Sequence, residues 1–294
     1  MSKPFVIETH EAEAPASDSP GIRQFAGKVV LSALLLATSA LFFLGDHLLA
    51  SGRSANLTVY PPIILLVLTV FFYLIKNLRR YWEVAFAFFC GSFGLYLAWS
   101  PLNWPVGFLG ANFYTVKGIT IYKFSEILAV TLPIILLTWL VQRNLTPIYL
   151  QKGNLKIGLG LGLGLSILIF GVYVLVSWSR IDFEKARLAL IWMVIFAFMD
   201  ALFEVLLLQG LLLRRFIGLL GNTWAIILST LVYGLFGLGV GSATGPISYG
   251  GLILFLTLGF LYSFIMQKSD AIWGSLSIHA TIDLIYLIGV FAST

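Results

Sequence analysis

Residues 188–213 read LALIWMVIFAFMDALFEVLLLQGLLL, an apolar run whose only acidic or basic side chains are Asp200 and Glu204. About 20 such residues cross a bilayer as a helix, so the run predicts a transmembrane helix carrying two acids at depth. Residues 271–292, AIWGSLSIHATIDLIYLIGVFA, repeat the arrangement with His279 and Asp283. Spacing of four puts each pair on one helix face. Ionisable groups inside a membrane are costly and normally face a cavity or a partner helix. The function is therefore expected where these two helices meet.

The rest of the chain is of the same kind. Of 294 residues, 59% are hydrophobic and 11% charged, where a soluble domain has roughly 25% charged. The mean hydropathy is +0.96. Long uninterrupted apolar runs favour helices over a membrane barrel, whose strands alternate. The pI near 9.3 does not point to nucleic acid, because the basic residues are read as lying in short connections between apolar runs, where they orient the chain in the bilayer. The single cysteine, Cys90, lies in an apolar run, which excludes a disulfide framework and a cysteine-rich zinc site.

Residues 1–27 are polar and proline-bearing and read as a disordered cytoplasmic tail. Nine apolar spans follow, near 28–50, 58–76, 82–100, 125–142, 156–178, 187–213, 222–241, 249–267 and 270–292. The count is eight if the glycine-rich GLFGLGVGSATG at 234–245 fails to cross. With nine, the tail and the connections after spans two, four, six and eight share one side. That side carries Lys3, Arg23, Lys28, Lys76, Arg79, Arg80, Arg143, Lys152, Lys156, Arg214, Arg215 and Lys268. The other carries Arg53, Lys117, Lys123, Arg180, Lys185 and Arg187. The richer side is expected to be cytoplasmic, which puts the N-terminus inside and the C-terminus outside. The expected setting is the plasma (inner) membrane of a prokaryote. The chain divides into the tail, an N-terminal transmembrane bundle over 28–180 and a C-terminal core over 187–292.

WSPLNWPVGFLGANFY at 99–114 is rich in Trp and Pro and is expected in the membrane interface. Glu126 is read as the start of the fourth span, where an acid suits the helix dipole. In the fifth span, IGLGLGLGLS at 157–166 places Gly158 with Gly162 and Gly160 with Gly164, small-residue pairs that admit a close helix neighbour. It lacks the strand context and the Lys-Ser/Thr ending of a phosphate cradle.

Depth can be compared from the flanking basic residues. Glu204 lies ten residues before Arg214, and His279 eleven after Lys268. At 1.5 Å per residue both sit roughly 15 Å inside the same face. Asp200 and Asp283 lie one turn further toward the other side.

The order of these residues resembles the CPBP family, the CAAX-protease and bacteriocin-processing intramembrane proteins. Glu204-Val-Leu-Leu-Leu-Gln209-Gly210 is similar to its first motif, Glu-Glu-x-x-x-Arg-Gly. Tyr233-Gly-Leu-Phe-Gly237 stands where the family has Phe-x-x-x-His, and His279-Ala-Thr-Ile-Asp283 matches His-x-x-x-Asn or Asp. The resemblance covers about 187–292, including the approach GFLYSFIMQKSDAIWGSLSIHA at 259–280. It implies an all-α polytopic bundle of eight or nine helices with a CPBP-like four-helix core. It also implies intramembrane endopeptidase chemistry, in which a glutamate activates water and histidine and asparagine position it or stabilise an oxyanion. Carried over, Glu204 is the candidate base and His279 its partner, with Asp283 in the third motif. The chain departs at four positions: Val205 for the second glutamate, Gln209 for the arginine, Tyr233 for the phenylalanine and Gly237 for the second-motif histidine.

These departures leave three uses open. A divergent endopeptidase would need Tyr233 to supply the missing donor, since an ionised Asp283 only accepts. A catalytically inactive relative would keep the fold and bind a membrane partner as a scaffold. A transporter is the third reading, with no visible inverted repeat to favour it. No cofactor is demanded, though Asp200, Glu204, His279 and Asp283 include zinc-type ligands and make a divalent metal an alternative. The partners implied are the bilayer itself and a membrane protein or lipidated peptide, as substrate or binding partner.

Overall fold

The computed structural model describes residues 20–49, 60–99, 114–244 and 249–292. Among these residues every regular element is helical. Helix α1 runs Pro20–Leu49, α2 Tyr60–Leu74 and α3 Trp82–Trp99. Helix α4 is one rod, Val116–Gln142, made of Val116–Glu126, a π turn Ile127–Thr131 and Leu132–Gln142. Helix α5 is Leu155–Ser177. Helix α6, Phe183–Val205, passes into a second π turn, Leu206–Gly210, and a short helix α7, Leu213–Leu220. Helices α8, Asn222–Thr244, α9, Tyr249–Ser269, and α10, Trp273–Phe291, complete the chain.

All nine predicted apolar runs are helical. Seven stretches are long and apolar enough to cross a membrane, and Tyr60–Leu74 and Asn222–Leu238 are shorter apolar helices. Ile167, Leu175 and Leu188 are among the many large apolar side chains turned outward, each more than 70% exposed. An outer surface of that kind is stable against hydrocarbon and not against water, and the chain is an integral membrane protein. Backbone groups are satisfied within each helix, as a bilayer requires.

Two boundaries differ from the sequence reading. Helix α1 starts at Pro20, eight residues before the expected start of the first span. Proline is suited to a first turn because its missing N–H has no partner there anyway. Residues 1–19 of the expected tail, and the interfacial stretch up to residue 113, lie outside the described residues. Helix α4 starts at Val116, nine residues earlier than expected. Thr115 caps it, its hydroxyl accepting from the Gly118 N–H at 3.1 Å. Lys117 and Lys123 fell in what read as a connection, and Glu126 at the start of the span after it. The stretch is helical, and Lys123 and Glu126 are inside the bundle.

The helices enclose one large core and a smaller second cluster of Val116, Met193, Leu287, Ile288 and Ala292. Helix α5 packs along α10, α1 along α8, and α4 along α6. Glycine decides the first of these contacts. A Cβ on Gly162 would stand 2.6 Å from the Gly274 Cα, and one on Gly158 3.0 Å from Ser269. Gly160 and Gly164 meet nothing within 4 Å. Of the two predicted pairs only Gly158 with Gly162 forms a contact stripe; the other lies on the opposite, open side.

Residues from distant connections meet at the two ends of the bundle. Gln151, Arg214 and Asp270, which follow predicted spans four, six and eight, meet at one end. At the other end the Asp182 N–H donates to the Ala292 carbonyl at 2.8 Å. Arg215, expected in the charged connection, is instead buried, donating to the Leu211 carbonyl and to Gln142 Oε1. At the same end burial pushes the Tyr149 phenol up to about 12.

Candidate active site

Three helices deliver the site. Glu204 comes from the end of α6, directly before the π turn. A π turn adds a residue to one helical turn and re-aims the side chains around it, and such turns recur at functional sites. The preceding helix is held at its start by Asp182, whose side chain accepts from the Glu184 and Lys185 N–H groups at 3.1 Å. The Lys185 N–H above all keeps the Asp182 carboxyl below its usual range. Tyr233 comes from α8, and His279 and Asp283 from one face of α10.

Their polar atoms form a linked ring. The Tyr233 hydroxyl is 3.3 Å from Glu204 Oε2 and 3.3 Å from His279 Nδ1. His279 Nε2 is 3.4 Å from Glu204 Oε2 and 3.4 Å from Asp283 Oδ2. Glu204 and His279, placed at one depth by counting residues, are thus neighbours. Each distance is longer than the usual 2.7–3.0 Å, and catalytic hydrogen bonds often tighten only when substrate is bound. A phenol has one proton and a neutral imidazole one N–H. Either Tyr233 donates to Glu204 while Nδ1–H donates to Tyr233, or Tyr233 donates to Nδ1 and the N–H moves to Nε2, which faces both carboxylates at 3.4 Å.

Aromatic rings wall this ring of contacts. Tyr262 lies 5.5 Å from the His279 ring and edge-on to Tyr233 at 5.6 Å. Phe255 lies 5.8 Å from Tyr233. Tyr233 is 1% exposed and its ring is part of the core, while its hydroxyl reaches Glu204. Phe255 also accounts for Gly237. A Cβ on Gly237 would stand 2.2 Å from the Phe255 ring. The place of the second-motif histidine is therefore taken by a phenylalanine from the neighbouring helix, and no imidazole fits there while Phe255 keeps its position. Gln209, in the arginine position, is fully buried in the π turn with neither amide atom hydrogen-bonded.

Asp200 is directed elsewhere. Its Oδ1 is 2.8 Å from Lys123 Nζ, which also pairs with Glu126. Lys123 Nζ lies 4.8 Å over the Phe203 ring. This buried Lys–Glu–Asp cluster sits one helical turn from Glu204 and was missed by the sequence reading. Its legible signal was the i, i+3 spacing of Lys123 and Glu126, a helical pairing that straddles the predicted start of the fourth span. Among the described residues no group of three or more His, Cys, Asp and Glu could hold a metal ion.

The fold and site place the family comparison in context. Residues 186–285 match the family model described as Rce1-like: Type II CAAX prenyl endopeptidase Rce1-like. No curated protein and no solved structure matches the chain. The matched segment spans α6 to α10 and holds Glu204, Tyr233, His279 and Asp283, while Lys123 and Glu126 lie outside it. Through residues 186–285 the chain is thus similar to the Rce1-like group of CAAX-protease-like membrane proteins, the likeness that the order of Glu204, Tyr233, His279 and Asp283 also carries.

Proposed function

We propose that this protein is a divergent intramembrane endopeptidase that cleaves a membrane-embedded or lipidated peptide. Its N-terminus lies on the cytoplasmic side of a prokaryotic plasma membrane. The observation that carries this reading is the convergence of Glu204, His279 and Tyr233 from three helices: the Tyr233 hydroxyl is in hydrogen-bond reach of the other two, which lie 3.4 Å from each other. Glu204 takes a proton from water as the water oxygen attacks the scissile carbonyl carbon. The carbonyl π electrons move to the oxygen, which Tyr233 O–H stabilises as a hydrogen-bond donor. Glu204 then passes its proton to the departing amine nitrogen as the C–N bond breaks. His279 positions Glu204 and the hydroxyl together. Asp283, an acceptor at Nε2, selects the imidazole orientation and is the least demanding member.

Tyr233 thus does the donor's work that a second-motif histidine would do from position 237. Removing one oxyanion donor typically costs about 10² to 10³ in rate. The test is cleavage of a membrane-tethered reporter in cells expressing each variant. Glu204→Gln is expected to reduce cleavage to background, and Tyr233→Phe to lower it by about 10² to 10³. Asp283→Asn is expected to retain it.

A second reading is favoured by one observation, the Phe255 ring in the place of the second-motif histidine. In that reading the chain is a non-catalytic relative that binds a membrane partner. Full complementation of a deletion strain by Glu204→Gln would put this reading first.

A further inference from the structure

Three lysines converge on one cavity at the end of the bundle that carries Arg214. The cavity has a volume of about 610 Å³ and is lined by Lys152, Lys156, Lys268, Gly153, Asn154 and Asp270 among others. The lone carboxylate there is already engaged: Asp270 pairs with Arg214 through Oδ1 and accepts from Gln151 Nε2 at 2.6 Å through Oδ2. Arg214 and Asp270 cancel, so the three lysines leave a net charge of about +3 on one concave surface. Among the described residues none of the three lysines is in an ion pair. Like charges in one concavity repel unless an anion sits among them.

A second observation identifies the kind of anion. Lys268 Nζ lies 5.7 Å over the Phe264 ring, and Phe264 stacks on Phe260 with ring centroids 6.1 Å apart and an interplanar angle of 17°. Both rings are exposed on the outer face of α9. They follow Lys268 at one and two helical turns toward the bilayer interior. The charged mouth therefore continues into an aromatic strip that faces hydrocarbon. A free phosphate would use the lysines alone. A phospholipid would use both parts, its phosphate among the ammonium groups and its chain along the rings. Basic pockets between membrane helices at the headgroup level are suited to such lipids.

We propose that the cavity formed by Lys152, Lys156 and Lys268 binds the phosphate headgroup of an anionic phospholipid, whose acyl chain lies along Phe264 and Phe260. The site is distinct from the Glu204 and His279 cluster, and its occupancy does not depend on catalysis.

The test uses the full chain purified in neutral detergent and incubated with phosphatidylglycerol or phosphatidylcholine, with retained lipid counted by native mass spectrometry. The unaltered chain is expected to retain phosphatidylglycerol in preference to phosphatidylcholine. The triple variant K152Q/K156Q/K268Q is expected to lose about tenfold or more of that retention. K76Q/R79Q/R80Q, which removes the same charge elsewhere, is expected to keep it. Thermal melting of both variants establishes that they are folded. F260A/F264A is expected to weaken phosphatidylglycerol retention, and millimolar inorganic phosphate to leave it in place. Equal retention by the K152Q/K156Q/K268Q variant and the unaltered chain would overturn the proposal. So would equal loss in the control variant, which would mean general charge attraction, or complete displacement by inorganic phosphate, which would mean a phosphate site without a lipid.

Discussion

Lys123 Nζ and Asp200 Oδ1 lie 2.8 Å apart, joining a helix outside the family-like segment to the helix that carries Glu204. The pair is largely buried, with side-chain exposures of 12% and 15%. Two carboxylates, Glu126 and Asp200, share the one ammonium. The arginine position of the family motif holds the neutral Gln209. Lys123, from the N-terminal half of the chain, thus places a cation one helical turn from Glu204 through its pair with Asp200.

Removing this cation leaves two carboxylates unpaired inside the bundle. Breaking one partner of a buried pair typically costs about 3–5 kcal/mol. Lys123→Met is expected to lower the thermal midpoint of the detergent-solubilised protein strongly. Lys123→Met with Glu126→Gln and Asp200→Asn is expected to recover most of it, because the uncompensated charge is gone. A midpoint for Lys123→Met equal to that of the unaltered chain would show that the pair contributes no stability.

Restoring the second-motif histidine requires room as well as chemistry. Gly237→His alone places its Cβ in the Phe255 ring, and overpacking a core typically costs about 1–3 kcal/mol. The single substitution is expected to lower stability and leave reporter cleavage unimproved. Gly237→His with Phe255→Ala is expected to regain stability and to raise cleavage by supplying a donor. No gain from the double variant, with folding intact, would mean that the donor is not what limits the reaction.

The stripe on α5 gives a paired comparison. Gly162→Ala puts a methyl 2.6 Å from the Gly274 backbone, whereas Gly160→Ala meets open space. Gly162→Ala is expected to destabilise by about 1–3 kcal/mol, and Gly160→Ala to be neutral or mildly stabilising, since alanine is the better helix former. Thermal melting of the two variants side by side decides it. Equal effects would contradict the packing of α5 on α10.

Asp182 makes the stability pH-dependent in a defined direction. Its carboxyl is held below the usual range, mainly by the Lys185 N–H at the start of α6. A lowered carboxyl contributes stability that is present above the ordinary aspartate value, near 4. That contribution is lost as pH falls through the lowered value. Asp182→Ala is therefore expected to melt below the unaltered chain at pH 7, with the difference shrinking at strongly acid pH. A constant difference across the range would mean that the cap acts without its charge.

Much of the architecture was already decided by local chemistry. Runs of about 20 apolar residues can satisfy their backbones in a bilayer only as helices, so the spans were readable without any tertiary information. The common depth of Glu204 and His279 followed from rise per residue, and their 3.4 Å contact reflects it. What the chain alone did not disclose were the choices that depend on neighbours. Lys123 and Glu126 looked like residues near a membrane face because charge counts against a span. Only the apposition of α4 and α6 gives Lys123 its second carboxylate, Asp200, and makes its burial tolerable. Gly160 and Gly162 carry identical local signals, and which of them touches Gly274 depends on the rotation of α5 about its axis. Gly237 read as a missing histidine. The filled space beside it belongs to Phe255, eighteen residues along the chain on another helix, and side-chain packing between helices is not encoded in the spacing of either one.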